Sequence, residues 1–283
     1  MSDLDPPSWL IYGTAWKEEE TRRLTKKALV AGFRAIDTAN QRKHYVEDAV
    51  GAAIAESIDQ QICRREDLFI QTKFTFQAGQ DHRLPYDPNA SLTQQVHQSF
   101  ESSRNHLRLD TIDAYVLHGP SRRRGLGEAD WEVWRAMEAL HGDQRCHHLG
   151  ISNVSPAQLE ELIADAHIKP QYVQNRCFAR TGWDHQTRQI CQREGITYQG
   201  FSLLTANTRE LNSEPIRQLA AQKEVTVPQL VFRFAADIGI WPLTGTTDVD
   251  HMEQDLAARS LSLSDQDLQT LLTPHRSNSP SSY

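Results

Sequence analysis

The chain lacks any cysteine pair at the spacing of a redox or zinc motif. Cys63, Cys146, Cys177 and Cys191 stand far apart, with no CxxC among them. That argues against a disulfide framework and for free thiols in a reducing compartment. No His, Cys, Asp and Glu residues cluster at ligand spacing, so no metal is expected. No apolar run approaches the ~18 residues that cross a bilayer. The opening MSDLDPPSW has no basic segment ahead of an apolar one. The expectation is a cytoplasmic protein with no membrane partner. Basic charge is not in excess either: 30 Lys and Arg face 37 Asp and Glu, a net charge of −7, which does not suit a nucleic-acid binder. The one basic run, Arg122-Arg123-Arg124, lies between Pro120 and Gly125 and reads as a solvated loop. There is no GxGxxG turn after the first β-like run, where Gly13-Thr14-Ala15-Trp16 stands instead. This disfavours an open, doubly wound dinucleotide fold. Neither an internal repeat nor a linker divides the chain.

What is present is an alternation. Eight β-like runs occur at 10–14, 34–39, 67–74, 111–119, 147–153, 172–177, 196–203 and 240–246. Amphipathic helical stretches lie between them, with a long helical region ahead of the eighth run and a last helix at about 249–259. Ser155-Pro156, with Glu160 near the first turn, is a helix start; Gly32, Gly142 and Gly195 are helix stops. Eight strand–helix units in 283 residues predict one parallel (β/α)8 barrel, a TIM barrel, over 1–283. A polar, Ser/Pro-rich tail from about 273 is expected to be mobile.

Such barrels gather function at the C-terminal ends of their strands. Asp37, Lys73 and His118 stand near the ends of the second, third and fourth runs. Each has a plain structural alternative. Asp37 could cap the next helix, Lys73 could reach solvent along its stem, and His118 could be a satisfied core residue. Together they suggest more. A lysine inside an apolar run needs a counter-charge, and Asp37 can supply it. That pair is expected to lower the pKa of a neighbouring phenol and make it a usable general acid. Trp16, Phe74, Phe76, Tyr86, Trp131 and Trp183 are candidates for an apolar pocket, with Trp16 and Phe74 placed first. Residues 75–90 and 121–127 are candidate specificity loops.

At this point the chain resembles the aldo-keto reductase superfamily. The segments GFRAIDTA, FIQTKF, IDAYVLHGP, LGISNV, VQNR, GITYQGFSLL and TGTTDVDHMEQDL follow the family's order from about Gly13 to Leu272. The resemblance implies reversible hydride transfer between a nicotinamide cofactor and a small carbonyl or alcohol. NADPH is the first expectation and NADH is possible. The implied tetrad is Asp37, Tyr45, Lys73 and His118. The family places its tyrosine five residues after the aspartate; Arg42 stands there, and Tyr45 lies eight residues on. His44 is the alternative acid, since it matches the tyrosine when counted back from Gly51. Ser152, Asn153 and Gln174 match groups that bind the nicotinamide carboxamide, and Asp37 also borders the cofactor. Phe201 matches the aromatic that stacks on the ring, and Ser202 and Leu204 match the pyrophosphate loop. Gly245, Thr246, Thr247, His251 and Asp255 match the end that receives the adenosine. Gly245 and His251 stand where NADPH-dependent relatives often carry Lys or Arg, so Thr246 and Thr247 are the implied phosphate donors. Two other readings remain: a non-enzymatic cofactor-binding subunit on the same fold, and a barrel lyase using Lys73 as a Schiff-base amine. A monomer or small homo-oligomer is expected.

Overall fold

The computed structural model describes residues 8–273. The polar tail expected to be mobile falls almost wholly outside that range. Eight short parallel strands close a barrel in sequence order, each hydrogen-bonded to its neighbours and β8 to β1. They are β1 (Ile11–Gly13), β2 (Ala35–Asp37), β3 (Phe69–Phe74), β4 (Ile112–Leu117), β5 (Cys146–Ser152), β6 (Tyr172–Arg176), β7 (Thr197–Phe201) and β8 (Ile240–Thr244). The helices between them are α1 (Thr21–Ala31), α2 (Glu47–Asp59), α3 (Leu92–Leu107), α4 (Glu128–Gly142), α5 (Pro156–Asp165) and α6 (His185–Glu194). The long helical region before β8 divides into α7 (Thr208–Leu211), α8 (Glu214–Gln222) and α9 (Val227–Asp237). After β8 come α10 (Val249–Ala257) and a helix the sequence reading missed, α11 (Asp265–Leu272). Its start is nonetheless written in the chain: Ser264 caps it and Asp267 closes the capping box. None of the described helices is long and apolar enough to cross a membrane.

Two of the start and stop signals act differently from their reading. At α5, Ser155 accepts from the backbone of Gln158, so Gln158 completes the box and not Glu160. Gly32 and Gly195 are left-handed helix ends, with φ of 113° and 69°. Gly142 remains inside α4, and the left-handed turn falls on Gln144 at φ 57°.

Strand side chains alternate between the barrel interior and the helix layer. The inward set forms three tiers. The lowest is apolar, with Ile11, Ala35, Phe69, Ala114, Tyr172 and Trp241 in one cluster. The middle tier is polar: Asp37, Gln71, Gln174 and Gln199. In strand phase, Lys73, Arg176 and Phe201 follow two residues further up their strands. The outward set packs against the helices in a single large core around Trp134, Phe100, Leu149 and Phe234. All four cysteines are free and buried. Burial pushes the thiols of Cys146, Cys177 and Cys191 up to about 12.

Gly51 shows how closely the helix layer is packed. A Cβ there would run into the carbonyl oxygen of His106 and come within 2.7 Å of the Leu107 Cα, where α2 crosses the end of α3. The obstacle is backbone, which cannot swing aside. Gly51→Ala is therefore expected to destabilise the fold by about 1–3 kcal/mol despite alanine's better helix propensity. An unchanged urea midpoint would show that the two helices can separate at no cost.

Candidate active site

The middle tier is the floor of the site. Asp37 Oδ1 accepts from Lys73 Nζ at 2.5 Å, from Gln71 Nε2 at 2.5 Å and from Gln174 Nε2 at 3.0 Å. Lys73 Nζ also donates to the Thr38 carbonyl at 2.8 Å. Gln199 accepts from Gln71 and Gln174, at 2.9 and 3.0 Å, and donates back to Gln71 at 2.9 Å. The charge on Asp37 fixes the direction of these amides, because only N–H groups can face a carboxylate. Gln174 is thereby left with its carbonyl oxygen unused by the described residues. Asp37 is not a helix cap: α2 begins after Val46. Lys73 does not reach solvent, being 0% exposed.

Tyr45 closes over this pair. Its ring centroid lies 5.3 Å from Lys73 Nζ and 6.1 Å from the His118 ring, which it meets edge to face. Its unusual spacing from Asp37 is absorbed by a turn. The amides of His44 and Tyr45 both donate to the Gln41 carbonyl at 3.0 Å. Arg42 and Lys43 bulge outward, and Arg42 pairs with Glu18 at 3.1 Å. Gln41 Nε2 pins the turn to the Gly79 carbonyl at 2.6 Å. His44 points elsewhere: its ring stacks on Trp16 at 3.8 Å and its Nδ1 meets Gln41 Oε1 at 2.9 Å.

The electrostatics correct one expectation. The phenol of Tyr45 is raised, not lowered; burial is the main cause and the Asp37 carboxylate adds to it. Burial likewise lowers the Lys73 ammonium, against the pull of Asp37. His118 is pushed down to about 3 by burial, with Lys73 and then His44 repelling its proton, so its ring is neutral at physiological pH. Thr75 Oγ1 lies 2.7 Å from His118 Nδ1. A hydroxyl donating there leaves the ring proton on Nε2. The sequence reading did not single out Thr75, although it follows Lys73 by two positions and so shares its strand phase.

Above the floor opens a cavity of about 800 Å³. Asp37, Tyr45, His118, Ser152, Asn153 and Gln174 reach it, as do Trp16 and His44 at the β1–β2 side. Phe201, Ser202 and Leu204 wall it after β7; Gly245, Thr246, Thr247, His251 and Asp255 wall it after β8. Three of these residues hold left-handed backbones without being glycine: Trp16 (φ 62°), Asn153 (φ 53°) and Ser202 (φ 56°). Such strain collects where surrounding structure over-determines the chain. Asp255 is gripped by Thr244 Oγ1 at 2.9 Å, and burial raises its carboxyl to about 6.

Phe74 is a correction. It is fully buried among Phe76, Tyr86 and the helix-side core, and does not line the cavity. It follows Lys73 directly, and consecutive strand residues point to opposite faces. Phe76, Tyr86, Trp131 and Trp183 are likewise core or packed against it, so Trp16 alone of the six candidate aromatics reaches the cavity. Neither candidate specificity loop supplies a wall residue. Residues 75–90 instead brace the Tyr45 turn, with Gln80 Nε2 donating to the Asn40 carbonyl at 2.8 Å.

Two cations were missed. Lys17 is 6% exposed, lines the cavity, and donates to the Gly245 carbonyl at 2.8 Å. Arg176 lines it from the end of β6, in phase with Gln174. Both were readable: Lys17 follows the first strand closely, and Arg176 is two residues beyond a proposed site residue. The site accordingly fits a dinucleotide. Its volume is within the roughly 300–1,000 Å³ of ligand pockets. It offers amide groups at one end, an aromatic ring beside them, and buried cationic charge with hydroxyls at the other. Among the described residues no His, Cys, Asp and Glu group is arranged to hold a metal.

Comparison with known proteins agrees with this geometry. Residues 8–272 match the model of the aldo/keto reductase family. Glyoxal reductase of Bacillus subtilis is 31% identical over 222 residues, 78% of this chain and 71% of that protein. The NAD/NADP-dependent indole-3-acetaldehyde reductase of Schizosaccharomyces pombe is 28% identical over 252 residues, 88% and 81% of the two chains. Among solved structures, an aldo-keto reductase from a Medee basin deep-sea metagenome superposes with a TM-score of 0.80 at 22% identity, covering 94% of this chain and 90% of that one. The Bombyx mori aldo-keto reductase in complex with NADP gives 0.76 at 22% identity, covering 94% and 90%. From its barrel to its sequence, the chain belongs to the aldo/keto reductase family of oxidoreductases.

Proposed function

We propose that this protein reduces small carbonyl compounds with NADPH, and less tightly with NADH, using Tyr45 as the proton donor. The observation that carries this reading is that Tyr45 and His118 meet at the wall of one cavity, with the buried Lys73 ammonium 5.3 Å from the Tyr45 ring. Ser152, Asn153 and the free carbonyl of Gln174 would hold a nicotinamide carboxamide, Phe201 would support the ring, and Ser202 and Leu204 would lie along the pyrophosphate. Bound there, the cofactor supplies the hydride. The neutral His118 donates from Nε2 to the carbonyl oxygen and fixes its direction. Tyr45 is protonated at neutral pH, as an ordinary phenol is, and burial raises it further; it gives its proton to the developing alkoxide, a far stronger base than a phenolate. Lys73, held by Asp37, stabilises the phenolate left behind. Trp16, 71% exposed on the cavity wall, offers its ring to the substrate's apolar part.

A Schiff-base role for Lys73 is disfavoured by its setting. Its amine is 0% exposed and spent on Asp37 and Thr38. The test of the main reading is a panel of aldehydes and ketones mixed with NADPH or NADH, followed by loss of the reduced cofactor. Tight cofactor binding with no turnover of any carbonyl would favour the non-enzymatic subunit instead.

The cation for the adenosine-side phosphate is Lys17, and not a residue at Gly245 or His251. Burial lowers its ammonium to about 8. It is charged below that pH and neutral above it, so NADPH affinity is expected to weaken as pH rises through about 8. Lys17→Met should raise the NADPH Kd by about tenfold or more, the worth of a charge-assisted hydrogen bond. It should also flatten that pH dependence. Equal NADPH binding at pH 7 and 9 in the wild type would assign the phosphate to other groups.

A further inference from the structure

Arg176 is a cationic cavity residue that the proposed chemistry leaves without a task. It ends β6 on the inward face, two residues above Gln174 and in register with Phe201. Its guanidinium carbon lies 5.5 Å from the centroid of the Phe201 ring. No carboxylate, hydroxyl or carbonyl among the described residues pairs with it. The acids bordering the cavity are engaged elsewhere: Asp37 by Lys73 and two glutamines, Asp255 by Thr244. An exposed guanidinium therefore borders the cavity with no protein anion paired to it, held to a ring by cation–π attraction.

We propose that Arg176 weights the site toward the reduced form of the nicotinamide. The inference rests on the reading above, in which Phe201 and Gln174 receive that ring. The oxidised ring carries a positive charge and the reduced ring carries none; the two forms share every phosphate and hydroxyl. A cation on the ring's own aromatic support therefore repels only the oxidised form. A contact from Arg176 to a phosphate would instead strengthen both forms alike. The effect acts on the bound states: it leaves the solution equilibrium of the reaction unchanged. It makes the reduced cofactor the tighter ligand and the oxidised one the quicker to leave. Two unit charges within several ångströms of each other near a surface interact appreciably even in a high effective dielectric, and salt screens them. The expected discrimination is thus about three- to tenfold and falls at high ionic strength.

The test is binding, not turnover. Dissociation constants for NADPH and NADP+ are measured by quenching of intrinsic fluorescence in the wild type, Arg176→Met and Arg176→Lys, at low and high salt. Circular dichroism verifies the fold of each variant. The ratio of the NADP+ to the NADPH constant should fall about three- to tenfold in Arg176→Met, remain partly intact in Arg176→Lys, and shrink with salt in the wild type. An unchanged ratio in Arg176→Met overturns the proposal. So does a parallel rise of both constants, which would make Arg176 a phosphate contact. A wild type that binds neither form would overturn the cofactor assignment itself, and the inference with it.

Discussion

Tyr45→Phe should lower kcat for carbonyl reduction by about 10²–10⁴-fold, the usual worth of a positioned general acid. It should leave the Kd for NADPH within a few-fold. The substitution removes one hydroxyl and keeps the ring that meets His118 and covers Lys73. That hydroxyl makes no hydrogen bond among the described residues, so its loss orphans no partner and the fold should be unaffected. His44→Ala is the control. Its ring lies against Trp16 and Gln41, away from the Asp37–Lys73 pair. It should change KM through the cavity wall and hold kcat within about tenfold. If Tyr45→Phe retains most activity and His44→Ala loses it, the proton donor is His44 and the turn at Gln41 opens on cofactor binding.

Lys73→Met should cost both activity and stability. Removing one partner of a buried ion pair costs about 3–5 kcal/mol, because the remaining charge is stranded. Here the stranded group is Asp37, 3% exposed, still bonded to Gln71 and Gln174. Those two donors soften the loss and place it toward the lower end. A fall in Tm on the order of 10 °C is expected for a chain of this size. Adding Asp37→Asn removes the stranded charge, so the double variant should be more stable than Lys73→Met alone while remaining inactive. A double variant that melts at or below the single one would mean that the two groups are not energetically paired in the folded state.

The barrel was legible because its signals are local and repeated. Each strand is a short run, and most helices lie between two of them, several with a start or stop residue at the edge, as at Ser155, Gly32 and Gly195. α11 was not evident although Ser264 and Asp267 spell its beginning, because it follows the eighth strand and belongs to no strand–helix unit. The site was legible where strand ends carry charge, as at Asp37, Lys73 and His118. It was misread where alternation was not applied: Phe74 is one residue from Lys73 and faces the helices, whereas Thr75 and Arg176 keep the inward phase of Lys73 and Gln174. Gln71 and Gln199 sit in the same inward phase, but a glutamine inside an otherwise apolar run carries no sign of the carboxylate it will face. The spacing to Tyr45 lay beyond sequence reasoning, since only the folded turn at Gln41 shows where the added residues go. The direction of the phenol's pKa was beyond it too. That depends on burial, to which the Asp37 carboxylate adds.

The four buried thiols make the chain its own reporter of opening. A thiol held protonated well above neutral pH and out of water reacts with alkylating or disulfide reagents only when its segment swings clear. Cys63 follows α2, Cys146 begins β5, Cys177 follows β6 and Cys191 lies in α6. Modification rates at these positions, resolved by mass, therefore time the loosening of four separate parts of the barrel wall. With cofactor present, a slowing at Cys177, the residue next to Arg176, set against an unchanged rate at Cys63 would map how far the ligand tightens the wall around it.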